Sequence, residues 1–199
     1  MTDLETTPID GRVARRQRNI DAVLDVVLQL FDEEAMFPTI EQAATRSGLS
    51  LRSLYRYFSD PEELHEAAVR RHRARIEPLA RLEAIGEGSL DHRVRAFVAA
   101  RIRVYEAVGA TYRAAVHNSA RNPRMRDTLA RNRDEMRSQF ERQFAPEITA
   151  RRGAARTAVV AAGDLLSQLE SIDFLRKHRQ LSAAEVERTL VDGLTSILG

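Results

Sequence analysis

Apolar residues recur at helical spacing along most of the chain, and no segment alternates apolar and polar residues as a strand does. The first helical pattern begins at Arg12 and ends before Pro38, because proline disfavours helical backbone in the residue before it. Its apolar positions share one helical face: Ile20, Val23, Leu24, Val27, Leu30 and Phe31. The pattern predicts a long amphipathic first helix.

Two short helices follow, and each is bounded by residues that start or stop helices. Thr39 with Gln42 forms a capping-box pattern, and Gly48 suits the tight turn after the second helix. Ser50 caps a third helix of about eight residues that ends at Phe58. Two short helices joined by a glycine turn predict a helix-turn-helix.

The rest of the chain is also helical in pattern. Asp60 and Pro61 start a fourth helix that runs to about Ile76. Five further helices are expected at about 90–108, 109–120, 123–144, 149–178 and 182–198. The sequence therefore predicts an all-α fold of about nine helices. We expect a flexible arm at 1–11, a helix-turn-helix domain at 12–60 and a second helical domain at 61–199.

Composition excludes several classes of function. The chain of 199 residues has no cysteine, so it has no thiol nucleophile, disulfide or cysteine-ligated zinc site. Its apolar runs are far shorter than the roughly 20 residues of a membrane span. The pair His65-Glu66 lacks the second histidine of a zinc-protease helix. We expect a cytoplasmic protein that does not associate with membranes, is not an enzyme, and uses no cofactor and no metal.

Charge alone does not indicate a partner. The 31 basic and 29 acidic residues leave a net charge of +2, and every basic residue except Lys177 is arginine. Arginine suits phosphates and guanine edges, but a G+C-rich genome explains the same bias. An inference of nucleic-acid binding therefore depends on where the arginines lie.

The third helix has a surface that suits DNA. Leu54 and Phe58 are four residues apart and can pack the helix against its neighbours, while Arg52 and Arg56 project from another face. No acidic residue lies between positions 42 and 59. A helical hairpin with a solvated arginine face would show the same pattern.

The order of residues from Thr39 to Asp60 closely resembles the DNA-binding region of tetracycline-repressor (TetR) family regulators. The family pattern T-I-x-x-I-A-x-x-A-G-V-S, followed by a short helix ending in L-Y-x-[HY]-F, is matched here by TIEQAATRSGLS and LRSLYRYF. The resemblance covers about residues 12–66 and is only architectural beyond them. It implies a sequence-specific transcriptional regulator, most simply a ligand-released repressor that binds a palindromic DNA operator as a homodimer.

The resemblance also implies roles for individual residues. Tyr55 and Tyr57 correspond to phosphate contacts, Ser50 to the cap of the recognition helix, and Arg52, Ser53 and Arg56 to base or backbone contacts. The expected DNA-binding residues are Thr39, Arg46, Ser50, Arg52, Ser53, Tyr55, Arg56 and Tyr57. A basic cluster at the start of the first helix is either an arm along DNA or a solvated helix start: Arg12, Arg15, Arg16 and Arg18.

Three positions depart from the family pattern. Ala35 stands where glycine is common, and Ala43 where isoleucine is usual. Pro61 replaces a lysine that holds a phosphate at the start of the fourth helix. The amide groups there could receive a phosphate, although Glu62 and Glu63 oppose it. We expect fewer phosphate contacts at this helix and partial compensation from the basic cluster. The alternative function is a helical small-molecule-binding or interaction module that no longer binds DNA specifically.

The resemblance implies that the second domain binds a ligand and forms the dimer. The expected dimer residues are Leu165, Leu166, Leu169, Leu190, Leu194 and Ile197, with packing inside one monomer as the alternative. The candidate effector residues are Phe97, Arg101, Tyr105, Tyr112, His117, Met136 and Phe140. A pocket they lined would take a largely apolar small molecule with one or two hydrogen-bond acceptors. The alternative is ordinary core packing for the aromatic residues and Met136, with Arg101 solvated and His117 hydrogen-bonded.

Overall fold

The computed structural model describes residues 8–34 and 37–199, and over these residues the protein is helical with no strand. The all-α prediction is therefore confirmed. The α-helices are α1 (Pro8–Glu34), α2 (Ile40–Ser47), α3 (Leu51–Tyr57), α4 (Pro61–Ile76), α5 (Leu90–Ser119), α6 (Pro123–Gln143), α7 (Ala145–Thr149), α8 (Gly153–Ser167), α9 (Leu169–Asp173) and α10 (Ala183–Leu198). None of these helices combines the length and apolar character that crossing a membrane requires.

The chain packs as two compact units. Of the described residues, the first contains 8–34, 37–73 and 110–125, and the second contains 74–109 and 126–199. The sequence predicts a boundary at residue 60. The first compact unit also includes most of α4, because Leu64 and Ala68 of that helix are fully buried in its core.

Local capping explains the short helices of the first unit. The Thr39 side chain accepts a hydrogen bond from the Gln42 amide at 3.2 Å, and the Gln42 side chain accepts one from the Thr39 amide at 2.7 Å. Gly48 ends α2 with a φ of 70°, a conformation that favours glycine. Ser50 caps α3, and Asp60 caps α4 by accepting from the Glu63 amide at 2.7 Å. The predicted caps and turn are thus confirmed.

The first unit has one apolar core shared by α1 to α4. Its fully buried side chains include Val23, Val27 and Phe31 of α1 and Leu54 of α3. An ionic contact adds to this core, because the Arg71 guanidinium on α4 donates to Asp25 at 2.9 Å and to Asp21 at 2.5 Å on α1. The core packs α3 against α1, and the ionic contact joins α4 to α1.

The second unit is centred on a cluster of phenylalanine rings. Phe97 of α5 and Phe140 of α6 meet edge to face with centroids 6.0 Å apart, and Phe144 packs against both. Gly163 of α8 lies directly on the Phe140 ring, where an added Cβ would stand 1.9 Å from Cζ. α8 also packs against α10, which buries Leu190 and Leu194.

Several predicted boundaries differ from the structure. α1 begins at Pro8 and not at Arg12, while residues 1–7 of the predicted arm and Ala35 lie outside the described part of the chain. The two helices expected at 90–108 and 109–120 are one helix, since Gly109 continues the helical backbone. The helix expected at 149–178 is interrupted by Gly153, with φ at +54°, and by the extended residue Gln168. It ends in a π-helical turn at Phe174–His178.

Candidate nucleic-acid interface

α3 presents a polar face while its opposite face is buried. Leu54 is fully buried and Phe58 is 4% exposed, so they pin the helix to the core. Arg52 and Arg56 are exposed, and Tyr55 is 51% exposed. A helix held in this way can enter a major groove with its cations and its tyrosine hydroxyl outward.

Ser50 and Ser53 shape the start of this helix. The Ser53 amide donates to the Ser50 hydroxyl at 3.2 Å, and the two hydroxyl oxygens are 3.0 Å apart. Ser50 therefore caps α3, as the sequence predicts. Ser53 is half-buried and faces the adjoining groove.

A basic groove of about 640 Å³ lies between α1 and α3. Four of the side chains that line it are arginines, three from α1 and one from α3. Concentrated positive charge in a concave surface attracts anions such as the phosphates of a nucleic-acid backbone. The lining residues are Arg12, Arg15, Arg16, Asn19, Leu49, Ser53, Arg56 and Tyr57.

Three of the four arginines in the basic cluster at the start of α1 line the basic groove. Arg12, Arg15, Arg16 and Asn19 follow the spacing i, i+3, i+4 and i+7, which places them on one helical face. Arg18 is exposed but does not line the groove. The same spacing was visible in the sequence and could have identified Asn19 as part of this surface.

Tyr57 does not have the outward position expected of a phosphate contact. It is 9% exposed, and its hydroxyl accepts hydrogen bonds from Asn19 Nδ2 and Arg56 Nη2, each at 3.2 Å. These two bonds lower the pKa of Tyr57 below its usual value. The Arg56 guanidinium also lies 5.2 Å from the centre of its ring. Tyr57 therefore joins α3 to α1 and orients Arg56.

Arg46 and Thr39 are also engaged within the protein. Arg46 donates to both carboxylate oxygens of Glu33 on α1, at 2.8 and 3.0 Å. The absence of nearby acids in the sequence was therefore misleading, since the partner comes from another helix. Thr39 is exposed, but its side-chain oxygen already caps α2.

The start of α4 is occupied by carboxylates. Asp60 accepts from the Glu63 amide, which lowers the pKa of Asp60, and Arg124 lies 3.4 Å from the same carboxylate. Glu63 accepts from the amide and hydroxyl of Ser59 at 2.6 and 2.8 Å, and these bonds lower its pKa. Because Asp60 already accepts from the Glu63 amide and both carboxylates repel an anion, the structure does not support a phosphate site beside Pro61.

The candidate effector residues fall in different environments. Tyr112 and the exposed His117 belong to the first unit. The other five belong to the second unit, where Met136 is half-buried and Phe97, Phe140 and Tyr105 are buried. Tyr105 donates to Asp173 at 2.8 Å. Arg101 is 3% exposed, so its side chain is buried and not solvated.

The expected dimer residues divide by exposure. Leu169, Leu190 and Leu194 are buried within the protomer at 7%, 2% and 1% exposure, so they cannot supply a surface. The burial of those three residues fits the alternative of packing inside one monomer. Leu165 is 68% exposed, whereas Leu166 and Ile197 are half-buried.

Comparison with known proteins agrees with this geometry. The chain matches no protein-family model. It is 29% identical over 187 residues to the HTH-type transcriptional regulator BetI of Klebsiella pneumoniae (strain 342), covering 92% of this chain and 90% of that protein. A crystal structure of a transcriptional regulator from Rhodococcus sp. Rha1 shares its fold, with a TM-score of 0.65 at 15% identity over 92% of this chain and 95% of that one. Together with the residues from Thr39 to Asp60 that resemble the TetR family, these matches support a DNA-binding transcriptional regulator.

Proposed function

We propose that the protein is a homodimeric repressor that binds a palindromic operator and leaves it when a small-molecule effector binds. α3 enters the major groove, where Arg52 and Arg56 contact base edges and Tyr55 contacts a phosphate. Ser53 approaches the sugar-phosphate backbone beside them. The protein works in the cytoplasm, where it meets its operator.

The observation that carries this proposal is the basic groove beside α3. Arg12, Arg15 and Arg16 of α1 stand beside Arg56 of α3, so four cations adjoin the helix that reads the bases. Phosphate contacts hold a DNA-binding protein in register, while base contacts specify the sequence. The basic groove supplies the backbone contacts that Pro61 removes from the start of α4.

Dimerisation follows from the size of α3. A helix of seven residues reads only a few base pairs, and two copies spaced about 34 Å apart read two half-sites on one face of DNA. Leu165 on α8 and Phe174 beyond α9 expose large apolar side chains, at 68% and 46%. Together with Leu166, these residues form the surface that we assign to the partner protomer.

Release requires an effector that distinguishes two states of the protein. α4 and α5 each contribute residues to both compact units, so a change in either helix reaches both. The effector must bind the state that does not bind DNA more tightly, because equal affinity for both states shifts nothing. We assign the effector to the second unit, near Phe97, Arg101 and Met136.

Selection of DNA from a random pool by the purified full-length protein tests the proposal. We expect an inverted repeat whose half-sites are about 10 base pairs apart, or a multiple of one helical turn. Affinity for the recovered site should fall linearly on a plot of log K against log salt concentration.

A matched pair of variants distinguishes sequence-specific DNA binding from non-specific electrostatic attraction to DNA. Replacing both Arg52 and Arg56 with Ala should abolish recovery of the repeat, whereas Arg103→Ala, at an exposed position on α5, should leave it unchanged. Weak association with no sequence preference would instead support a helical module that no longer binds DNA specifically. The carboxylates of Asp60 and Glu63 at the start of α4 are the observation that favours this alternative.

A further inference from the structure

α5 carries two buried arginines with different partners. Arg93 is 4% exposed, and its guanidinium donates to the Glu147 carboxylate at 2.9 Å and to the Gln143 carbonyl at 3.0 Å. The Gly88 carbonyl accepts from its Nε at 3.2 Å. Its charge is therefore matched by a carboxylate, and each of its three guanidinium nitrogens donates a hydrogen bond.

Arg101 has no such match. Its Nη1 donates to Gln139 Oε1 at 2.5 Å and its Nη2 to the Met136 carbonyl at 2.9 Å, and both acceptors are neutral. Its Nε is buried and has no hydrogen-bond partner among the described residues. Within residues 8–34 and 37–199, no carboxylate forms an ion pair with it.

Arg101 nevertheless remains charged at neutral pH. Burial lowers its pKa to about 10, and the attraction of Asp164 and Glu135 acts against this lowering without cancelling it. A buried charge is unfavourable unless an opposite charge compensates it. An arginine in this state gains more from an incoming anion than a paired or exposed arginine does.

The surroundings of Arg101 suit the apolar part of a small organic anion. The guanidinium lies 4.5 Å from the centre of the Phe97 ring, and that ring adjoins Phe140. The half-buried Met136 has a flexible side chain that can adapt to a bound group. The Gln139 side chain is fixed in position because its Nε2 donates to the Ala80 carbonyl at 2.9 Å.

We propose that Arg101 anchors the carboxylate of an organic anion, with Nε and one Nη donating to its two oxygens and Phe97 packing against its apolar part. The planar guanidinium and carboxylate match in this two-bond geometry. The inference rests on the proposed function, because the anion is the effector of the regulator. It replaces the expectation of a largely apolar effector with that of an amphipathic anion.

Nuclear magnetic resonance of the arginine Nε–H groups in the full-length protein tests the anchor directly. The probes are two matched pairs, benzoate with benzamide and hexanoate with hexanamide, which share shape but differ in charge. We expect the carboxylates to move the Arg101 Nε–H signal downfield and the amides to leave it in place. An unmoved signal with both carboxylates, or equal movement with the amides, overturns the proposal.

Two variants provide the binding control. Arg101→Met should weaken carboxylate binding about 10- to 100-fold, which corresponds to the loss of hydrogen bonds to a charged group. Arg103→Met removes a charge from an exposed position on the same helix and should leave binding unchanged. If Arg101→Met does not fold, Arg101→Lys is used instead. This variant keeps the charge but loses the planar guanidinium, and it should bind carboxylates more weakly than the wild type. Wild-type affinity in the Arg101 variants contradicts the anchor.

DNA binding is measured separately on the same samples without probe. A wild-type protein that binds the recovered repeat but no carboxylate overturns the anchor and leaves the regulator standing. A protein that binds carboxylates through Arg101 but recovers no repeat supports the anchor as a ligand site and overturns its role in a DNA regulator.

Discussion

The two compact units use arginine in opposite ways. In the first unit, Arg12, Arg15 and Arg16 are exposed along the basic groove, and Arg52 is exposed on α3. In the second unit, Arg93 and Arg101 of α5 are buried and hydrogen-bonded to groups of α6 and α7, whereas Arg103 of the same helix is exposed. The same side chain therefore forms an exposed basic surface in one unit and part of the interior in the other. Composition cannot distinguish these uses, whereas the burial of each residue does.

The largest expected effect is on the buried ion pair of the second unit. Arg93→Met leaves the Glu147 carboxylate, whose side chain is 15% exposed, without its partner. We expect the free energy of unfolding to fall by about 3–5 kcal/mol, measured by urea denaturation at neutral pH.

The pH dependence of this loss provides its control. Arg93 holds the pKa of Glu147 below its usual value, so the pair stabilises the protein above the ordinary glutamate pKa and is lost as pH falls through the lower one. The difference in the free energy of unfolding between the Arg93→Met variant and the wild type should become smaller at acidic pH. A difference that stays constant would mean that packing of the Arg93 stem, and not its charge, is responsible.

The next effect compares exposed arginines of α3 with an ion-paired arginine of α2 at the proposed DNA surface. Arg52→Ala and Arg56→Ala should each weaken binding to the recovered repeat by about 1–3 kcal/mol and relax preference at particular bases. Arg46→Ala should cost less, because Arg46 is already paired with Glu33. Fluorescence anisotropy with labelled DNA measures all three. Equal losses on every sequence would assign Arg52 and Arg56 to the backbone instead.

Two tyrosines on α3 give a third comparison. Tyr57→Phe removes the acceptor for Asn19 and Arg56 and should lower the free energy of unfolding by about 0.5–1.5 kcal/mol. Tyr55→Phe should leave unfolding unchanged and weaken all DNA sequences to the same extent. Thermal unfolding and anisotropy on both variants check this division, and reversed effects would contradict it.

The smallest effect concerns pH and the first unit. His65 stacks on Phe37 with centroids 4.5 Å apart, and its Nε2 lies 2.8 Å from the Pro38 carbonyl oxygen. Burial lowers the pKa of His65, so the unfolded chain takes up a proton first as pH falls below about 6.5. Stability should therefore decline with falling pH until the folded-state pKa is reached. His65→Gln should flatten this decline, and His117→Gln at an exposed site should not.

Local chemistry made much of the first unit predictable. The capping box at Thr39, the turn at Gly48 and the caps at Ser50 and Asp60 depend on residues a few positions apart, and each was confirmed. The TetR pattern depends on the same short range. The presence and order of these helices could therefore be predicted from the sequence.

Contacts between distant residues could not be predicted in this way. Glu33 pairs with Arg46 across 13 positions, and Asn19 bonds to Tyr57 across 38. The burial of Arg101 depends on α6 packing over α5, which no local pattern specifies. The breaks at Gly153 and Gln168 likewise reflect backbone angles that their neighbours do not impose.

The absence of a side chain at Gly163 has a consequence for how ligand response could evolve. Any larger residue there would push the Phe140 ring aside, and that ring touches Phe97, against which the Arg101 guanidinium lies. A single methyl group on α8 would thus disturb the guanidinium through two intervening rings. On the proposed function, mutations that change which effector is bound need not occur among the residues that contact it.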